Sequence, residues 1–315
     1  MPRRRTSRFK PPSPERRLHL NVSSPRIVCW SFLRYLKRSL KVMFAVALLG
    51  GAAWAVRTGI REFFIENEEF QLRHVDLESN GEMTAEDFVR LCGLDLESSI
   101  FALRLRDLRE RLLERPGIES VDLSRRLPGT LRVKVVEREP IAWLECRPLG
   151  IVGRNPAVGI LLDSTGVCYP CDFWVEEKAR PLPVLLVSDV EEGDITIGKE
   201  IRHHESRRAL ELIRHARERL RGAGWSLPVV AVRNDYSLEA ATTRGVLVTF
   251  GMYDHEEQLE NLIALVRESA KQAEPIAMVN LIPKRNIPVI AGEPGSRREY
   301  GRSRLQRDIH ALLRP

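Results

Sequence analysis

The chain has 315 residues, enough for about two domains, with 43% apolar and 30% charged side chains, a globular composition with room for one membrane segment. Its net charge of +7 is unevenly placed: residues 1–41 hold twelve Lys and Arg against the single acid Glu15, while the remainder is mildly acidic. That distribution excludes a basic folded body of the kind that grips nucleic acid, so no nucleic-acid partner is expected.

The first element is a tail. Residues 1–40 open with MPRRRTSRFKPPSPERR, which has almost nothing to bury and reads as a basic, disordered cytoplasmic segment. It can serve as a topology signal, or touch anionic head groups or a cytosolic partner. Residues 41–60 are the predicted transmembrane helix. Their uncharged centre, from Val42 to Val56, spans roughly 22 Å, and Leu40 with Thr58–Ile60, flanked by snorkelling Lys41 and Arg57, lengthens it. Val42, Phe44, Leu48, Leu49, Trp54 and Val56 are the expected membrane anchor, with Trp30, Tyr35 and Trp54 as interfacial aromatics. Lys37, Arg38 and Lys41 precede the span; Glu62, Glu66, Glu68 and Glu69 follow it. The positive-inside rule then leaves the N-terminus in the cytoplasm and residues 61–315 outside. A signal peptide cleaved at Ala53-Trp54-Ala55 is the competing reading, and the long basic region ahead of the apolar run argues against it.

After a charged connector, the pattern reads β-α-α-β-β. FQLRHVDLES is a strand with Phe70, Leu72, His74 and Asp76 on one face and Val75 and Leu77 on the other, ended by Asn80-Gly81. Thr84 caps a helix, with Asp87 completing the capping logic and Phe88, Val89 and Leu91 supplying its apolar side. A second helix over residues 103–115 places Leu105, Leu108, Leu112 and Leu113 on one stripe and closes at Pro116-Gly117. GIESVDLS is the next strand. The turn Leu127-Pro128-Gly129 leads to the last, where Leu131, Val133 and Val135 alternate with Arg132, Lys134 and Val136. These elements make a three-stranded sheet with two helices on one face.

F-x-L-x-x-V followed by Asn80-Gly81, and then RPGIESVDLSRRLPGTLRVKVVEREPIA, resembles the POTRA domain of the bacterial cell-division family FtsQ/DivIB. The signature residues are Pro116, Gly117, Arg126, Pro128, Thr130, Leu131, Glu137, Arg138 and Pro140, and the resemblance places the POTRA domain at residues 70–142. The layout is similar as well: basic tail, one membrane helix, POTRA domain, then a β-rich domain.

That second domain is expected over residues 143–290, before a polar C-terminal tail at 291–315 in which 309–313 forms only a helical turn. GILLDSTGVCYP is a strand-turn-strand, RPLPVLLVSD a short strand, and residues 200–221 a helix with Ile201, Leu210, Ile213 and Leu220 inward. VVAVRND, LEAATTR and VLVTFG are strands, residues 256–273 a helix through Leu259, Leu262, Ile263 and Val266, and IAMVNLIP the last strand. The fold class is α+β: one transmembrane helix, a POTRA domain, and a mixed antiparallel β-domain with flanking helices.

No residue set supports catalysis. Gly193 to Lys199 matches GxxxxGK, but Glu200 stands where a P-loop needs a hydroxyl and Asp194 would face phosphate, so it reads as a loop. Cys168-Tyr-Pro-Cys171 lacks a helix N-terminus to activate a thiol; a structural disulfide, between Cys146 and Cys168 or Cys171, or free buried thiols fit better than redox chemistry. His203, His204 and His215 lie on one helix without metal spacing, and His255-Glu256 lacks the second His of a zinc protease; all read as solvated helix faces. No enzyme activity, metal, cofactor or small-molecule substrate is expected.

What remains is protein binding, by a small sheet able to accept an added strand. The resemblance implies a non-catalytic inner-membrane scaffold at the division septum, whose partners are FtsB/FtsL-type coiled-coil proteins controlling septal peptidoglycan synthesis. It places their binding on the last strand at Met278, Val279, Asn280, Leu281 and Ile282, where Asn280 and Ile282 depart from that family's V-D-L-R-like motif. Two other classes are a POTRA-bearing component of envelope assembly or secretion, and a membrane-tethered thiol oxidoreductase using Cys168 and Cys171.

Overall fold

The computed structural model describes residues 25–60, 63, 67–191, 193–292, 308, 309 and 312, without the side chains of 25–35 and 60. The expected N-terminal disorder and most of the C-terminal tail lie outside the described residues, as do the side chains of Trp30 and Tyr35. The chain divides into two units, residues 1–63 and 64–315.

The first unit contains one long helix among the described residues, α1 (Pro25–Ile60). Within it, Leu36–Gly59 is long and apolar enough to cross a membrane: its 24 residues reach roughly 36 Å. Val42, Phe44, Leu48, Leu49, Trp54 and Val56 are all between 59% and 70% exposed. The Ser39 and Thr58 hydroxyls donate back to the carbonyls of Leu36 and Trp54, both at 3.0 Å, so neither is unpaired within the apolar stretch.

The second unit begins with the expected β-α-α-β-β order. Its elements are β1 (His74–Ser79), α2 (Ala85–Cys92), α3 (Leu105–Leu113), β2 (Ile118–Arg126) and β3 (Thr130–Glu137). The sheet order is β1-β3-β2, with β1 parallel and β2 antiparallel to the central β3. Leu131, Val133 and Val135 of β3 point into the core, as alternation predicts. Thr84 makes the expected capping box: its hydroxyl accepts from Asp87 N at 3.2 Å, and the Asp87 carboxylate accepts from Thr84 N at 3.1 Å.

Two details differ from the sequence reading. Pairing of β1 starts only at His74, because Glu68–Phe70 is a 3-10 turn; Leu72 is buried from an extended segment outside the ladder, while His74 and Asp76 face water. Leu113 is 42% exposed, since it lies about 100° around the helix from Leu112, which is fully buried.

The ladder of β3 stops at Glu137, and β4 (Pro140–Glu145) enters a different sheet. This sheet has nine strands in the order β12-β11-β10-β9-β8-β7-β4-β5-β6. The remaining elements, in chain order, are β5 (Ile160–Asp163), β6 (Cys168–Pro170), α4 (Glu176–Ala179), β7 (Val184–Leu186), α5 (His204–Arg219), β8 (Val229–Asn234), β9 (Ser237–Ala241), β10 (Leu247–Gly251), α6 (His255–Gln272), β11 (Ile276–Asn280) and β12 (Val289–Ala291). Neighbours are parallel at β4–β7, β7–β8 and β10–β11, and antiparallel elsewhere. The last two parallel pairs are joined through α5 and α6, the crossover that parallel strands require.

Both helices cover one face. Leu210, Ile213, Leu259 and Leu262 pack there against Leu185, Val230, Ala240 and Phe250. On the opposite face Ile309 is fully buried among Leu186, Val229, Ala231 and Ala241. The tail expected to be merely polar therefore contributes a core residue, worth about 2 kcal/mol by the area it removes from water.

Candidate partner-binding edge

Pro116, Gly117, Glu137, Arg138 and Pro140 of the signature lie at the joint between the two sheets. Arg138 donates from Nε to the Pro116 carbonyl at 3.0 Å and from Nη1 to Asp163 Oδ2 at 2.9 Å, and its backbone N–H donates to the Gly117 carbonyl at 2.9 Å. Asp163 Oδ1 accepts from Thr165 N and Val167 N, both at 2.9 Å, so one carboxylate orders its own turn and holds the guanidinium. Gly117 is closely packed: a Cβ there would lie 3.1 Å from Asp172 and 3.3 Å from the Tyr169 ring. Asp172 is buried and paired with Arg115 at 3.4 Å; burial raises its carboxyl pKa, partly offset by that cation.

Glu137 locks the other side. Its Oε1 accepts from the Ser79 hydroxyl and from Met83 N at 2.9 Å. The Asn80 side chain bonds both backbone groups of Glu137, accepting from its N–H at 2.7 Å and donating to its carbonyl at 3.1 Å, as an added strand residue would. Gly81 leaves room for the carboxylate, which a Cβ would approach within 2.6 Å. In the hairpin, Leu131 is fully buried, Thr130 pairs with Arg126, and Arg126 and Pro128 are exposed. Pro140 is buried and opens β4.

Strand edges differ in availability. In the small sheet, β1 and β2 are outermost and carry exposed Asp76, Glu78, Asp122 and Arg126, charges that discourage strand addition. At one end of the large sheet, β6 is covered by the 193–201 loop: Gly198 N donates to the Cys168 carbonyl at 2.7 Å and Cys168 N to the Lys199 carbonyl at 3.0 Å. The GxxxxGK stretch thus spends its backbone groups on a strand edge.

The opposite end terminates in β12. Met278 and Val279 of β11 pair with β10 on one side and with Ile290 and Val289 of β12 on the other. Asn280 N donates to the Pro288 carbonyl at 3.0 Å, Leu281 N to the Thr249 carbonyl at 2.8 Å, and Asn280 Oδ1 accepts from Ile282 N at 3.1 Å. The strand read from sequence as the outermost is therefore internal, and the outer edge belongs to β12. Of the five residues named there, Ile282 is exposed, at 41%, close in value to Val289 at 39%. β12 escaped sequence reading because three apolar residues between Pro288 and Gly292 are too few to show a period. Lys284 fixes the β11–β12 connection by pairing with Asp254 at 2.8 Å and Glu257 at 3.5 Å.

The cysteines stand apart from this edge. Cys92, Cys146, Cys168 and Cys171 are free thiols, so the expected bridge from Cys146 is not formed. For Cys168 register explains why: it aligns with Leu162 and through it with Ala142, two strands and four residues away from Cys146. That is roughly 10 Å across and 13 Å along, beyond the ~7 Å Cα separation a disulfide spans. Burial, with Asp163 nearby, pushes the Cys168 thiol up to about 12, and burial with Glu176 and Asp172 pushes Cys171 up to about 11. Neither supplies the thiolate that exchange chemistry needs.

The histidines are only partly the solvated residues expected. His203 caps α5, its Nδ1 accepting from Ser206 N at 3.3 Å, and His215 meets Glu256 at 3.2 Å between α5 and α6. His255 is buried with Nε2 3.1 Å from the Gly251 carbonyl, and burial lowers its pKa.

Residues 70–138 match the family model described as POTRA domain, FtsQ-type. The chain is similar to the cell division protein FtsQ of Geotalea daltonii, 23% identical over 248 residues that cover 78% of this chain and 84% of that protein. It is similar also to FtsQ of Rickettsia felis, 30% identical over 50% of this chain and 54% of that protein, and of Bartonella bacilliformis, 33% identical over 39% and 40%. It thus spans about half the length, or less, of these last two relatives.

Proposed function

We infer that this chain, which belongs to the FtsQ/DivIB family of bacterial cell-division proteins, is a non-catalytic scaffold that joins other division proteins at the septum. Helix α1 anchors it in the inner membrane by a single pass. The excess of Lys and Arg before the span supports a cytoplasmic N-terminus and periplasmic sheets. In this reading the parse is a tail to residue 40, a span at 41–60, a POTRA domain from 70 to the joint at Arg138, and a β-domain from Pro140 through β12.

The observation that carries the reading is the asymmetry of the large sheet: the β6 end is capped by the chain's own loop, and the β12 end is short, apolar and uncapped among the described residues. Such an edge takes an extended segment by main-chain pairing, while exposed Ile282 and Val289 give it side-chain contacts. The partners are the extracytoplasmic parts of small coiled-coil division proteins of the FtsB/FtsL type, and through them the scaffold helps to control septal wall synthesis. A role in outer-membrane assembly or secretion is less well supported, because the relatives reported above are division proteins.

A photo-crosslinking residue placed at Val289 tests this in cells. It captures a small coiled-coil division protein, whereas the same probe at exposed Phe173 does not. Capture at Phe173 with none at Val289 would displace the binding edge from β12.

A further inference from the structure

The face of the large sheet opposite α5 and α6 holds a short segment that the strand-edge reading does not use. Register aligns Val229 with Ala241 and Ala241 with Leu247, and alternation sets Leu186 and Ala231 beside them, giving a floor of small and branched side chains. Asp308, Ile309 and Leu312, all helical, sit on that floor. Ile309 is fully buried in it and Leu312 packs at its side.

Two cations fix the segment's ends. Arg147 Nη1 pairs with Asp308 Oδ1 at 2.5 Å, and Arg154 Nη1 donates to the Leu312 carbonyl at 3.0 Å. The recognised pattern is therefore an acid, an aliphatic residue next to it, and a second aliphatic three positions on, the repeat of one helix face.

A second observation on the same face points to a ligand. Glu239, paired in register with Ala231 and Thr249, is only 5% exposed. Its Oε1 meets Arg233 at 3.0 Å, but its Oε2 has no hydrogen-bond partner among the described residues. Buried carboxylate oxygens are ordinarily paired, and Asp308, Ile309 and Leu312 give this one no donor.

We propose that this face is a docking groove for an amphipathic helical segment, that the chain's own Asp308–Leu312 stretch is its resident occupant, and that a partner segment of the same acid-aliphatic-x-x-aliphatic pattern, with a donor for Glu239, displaces it. The groove lies on a sheet face and the β12 site on a sheet edge, so either stands without the other.

The test is a fluorescent peptide spanning residues 305–315, titrated against the full chain in detergent micelles. The Ile309→Asp chain, with its own segment undocked, binds the peptide at least tenfold more tightly than the unaltered chain. A peptide carrying Ile309→Asp does not bind. Should the Ile309→Asp chain fail to fold, an Asp308→Arg chain frees the groove by breaking only the surface pair. An Asp308→Arg peptide then loses binding and regains it against a chain that also carries Arg147→Glu. A lysine scan through peptide positions 310, 311 and 313 tightens binding at one of them, and Glu239→Gln abolishes that gain. Equal affinity for altered and unaltered chains, or binding indifferent to Ile309→Asp in the peptide, would overturn the groove. A flat lysine scan would overturn the role of Glu239.

Discussion

Arg138 binds three parts of the molecule with one side chain, and its mostly buried guanidinium has its charge met by an Asp163 carboxylate that is itself only 7% exposed. Removing one partner of such a pair strands the other away from water, so Arg138→Ala is expected to cost about 3 kcal/mol in urea unfolding of residues 64–315. Arg138→Lys recovers only part, because an ammonium cannot reproduce the fork to Pro116 and Asp163. Gly81→Ala forces a methyl onto the Glu137 carboxylate and is expected to cost about 2 kcal/mol in the same measurement. His255 sets a pH dependence. Burial holds the folded imidazole below its ordinary 6.5, so the unfolded chain takes up the proton first as pH falls. The stability that neutral His255 provides is complete above about pH 6.5 and is lost progressively below it, until the folded imidazole protonates too. Melting temperatures at pH 7.5 and 5.5 therefore separate less in His255→Gln than in the unaltered chain.

Among the elements, those governed by local chemistry were legible before any coordinates. The capping box of Thr84 and Asp87, the turn at Pro128-Gly129, and the alternation of Leu131, Val133 and Val135 are each written within eight residues. Thr84→Ala should accordingly cost about 1 kcal/mol, read from the same urea curves. What was not legible depends on distant partners. Nothing near Arg138 announces Asp163, nothing in Val289-Ile290-Ala291 announces β10 and β11 beyond it, and Ile309 reads as tail until the sheet face it covers is known. The Met278–Ile282 stretch showed the right strand but not its neighbour, because pairing on both sides is a property of the sheet. Lys284 is expected to hold β12 in register; Lys284→Glu would place like charges beside Asp254 and Glu257 and speed hydrogen exchange at Ile290, whose register partner is Met278 of β11. Unchanged exchange there would show that main-chain pairing alone secures the strand.

At the scale of the whole molecule, charge, apolarity and strand edges are segregated along the chain. Basic residues precede the one helix among the described residues that is able to cross a membrane, and the two sheets follow it. Of the residues that match the FtsQ-type POTRA domain, Glu137 and Arg138 are spent on internal joints, while Arg126 and Pro128 stand exposed in the hairpin. In the function proposed above, binding falls instead to surfaces that the chain leaves available, foremost the β12 edge. The most direct test of the central claim is the position of the full-length protein in dividing cells of its bacterium, followed through a fluorescent fusion at the N-terminus. The account predicts a ring at midcell that persists when Cys168 and Cys171 are replaced by Ser and fades when β12 is deleted. A signal spread evenly around the envelope, with the full-length band intact, would contradict it.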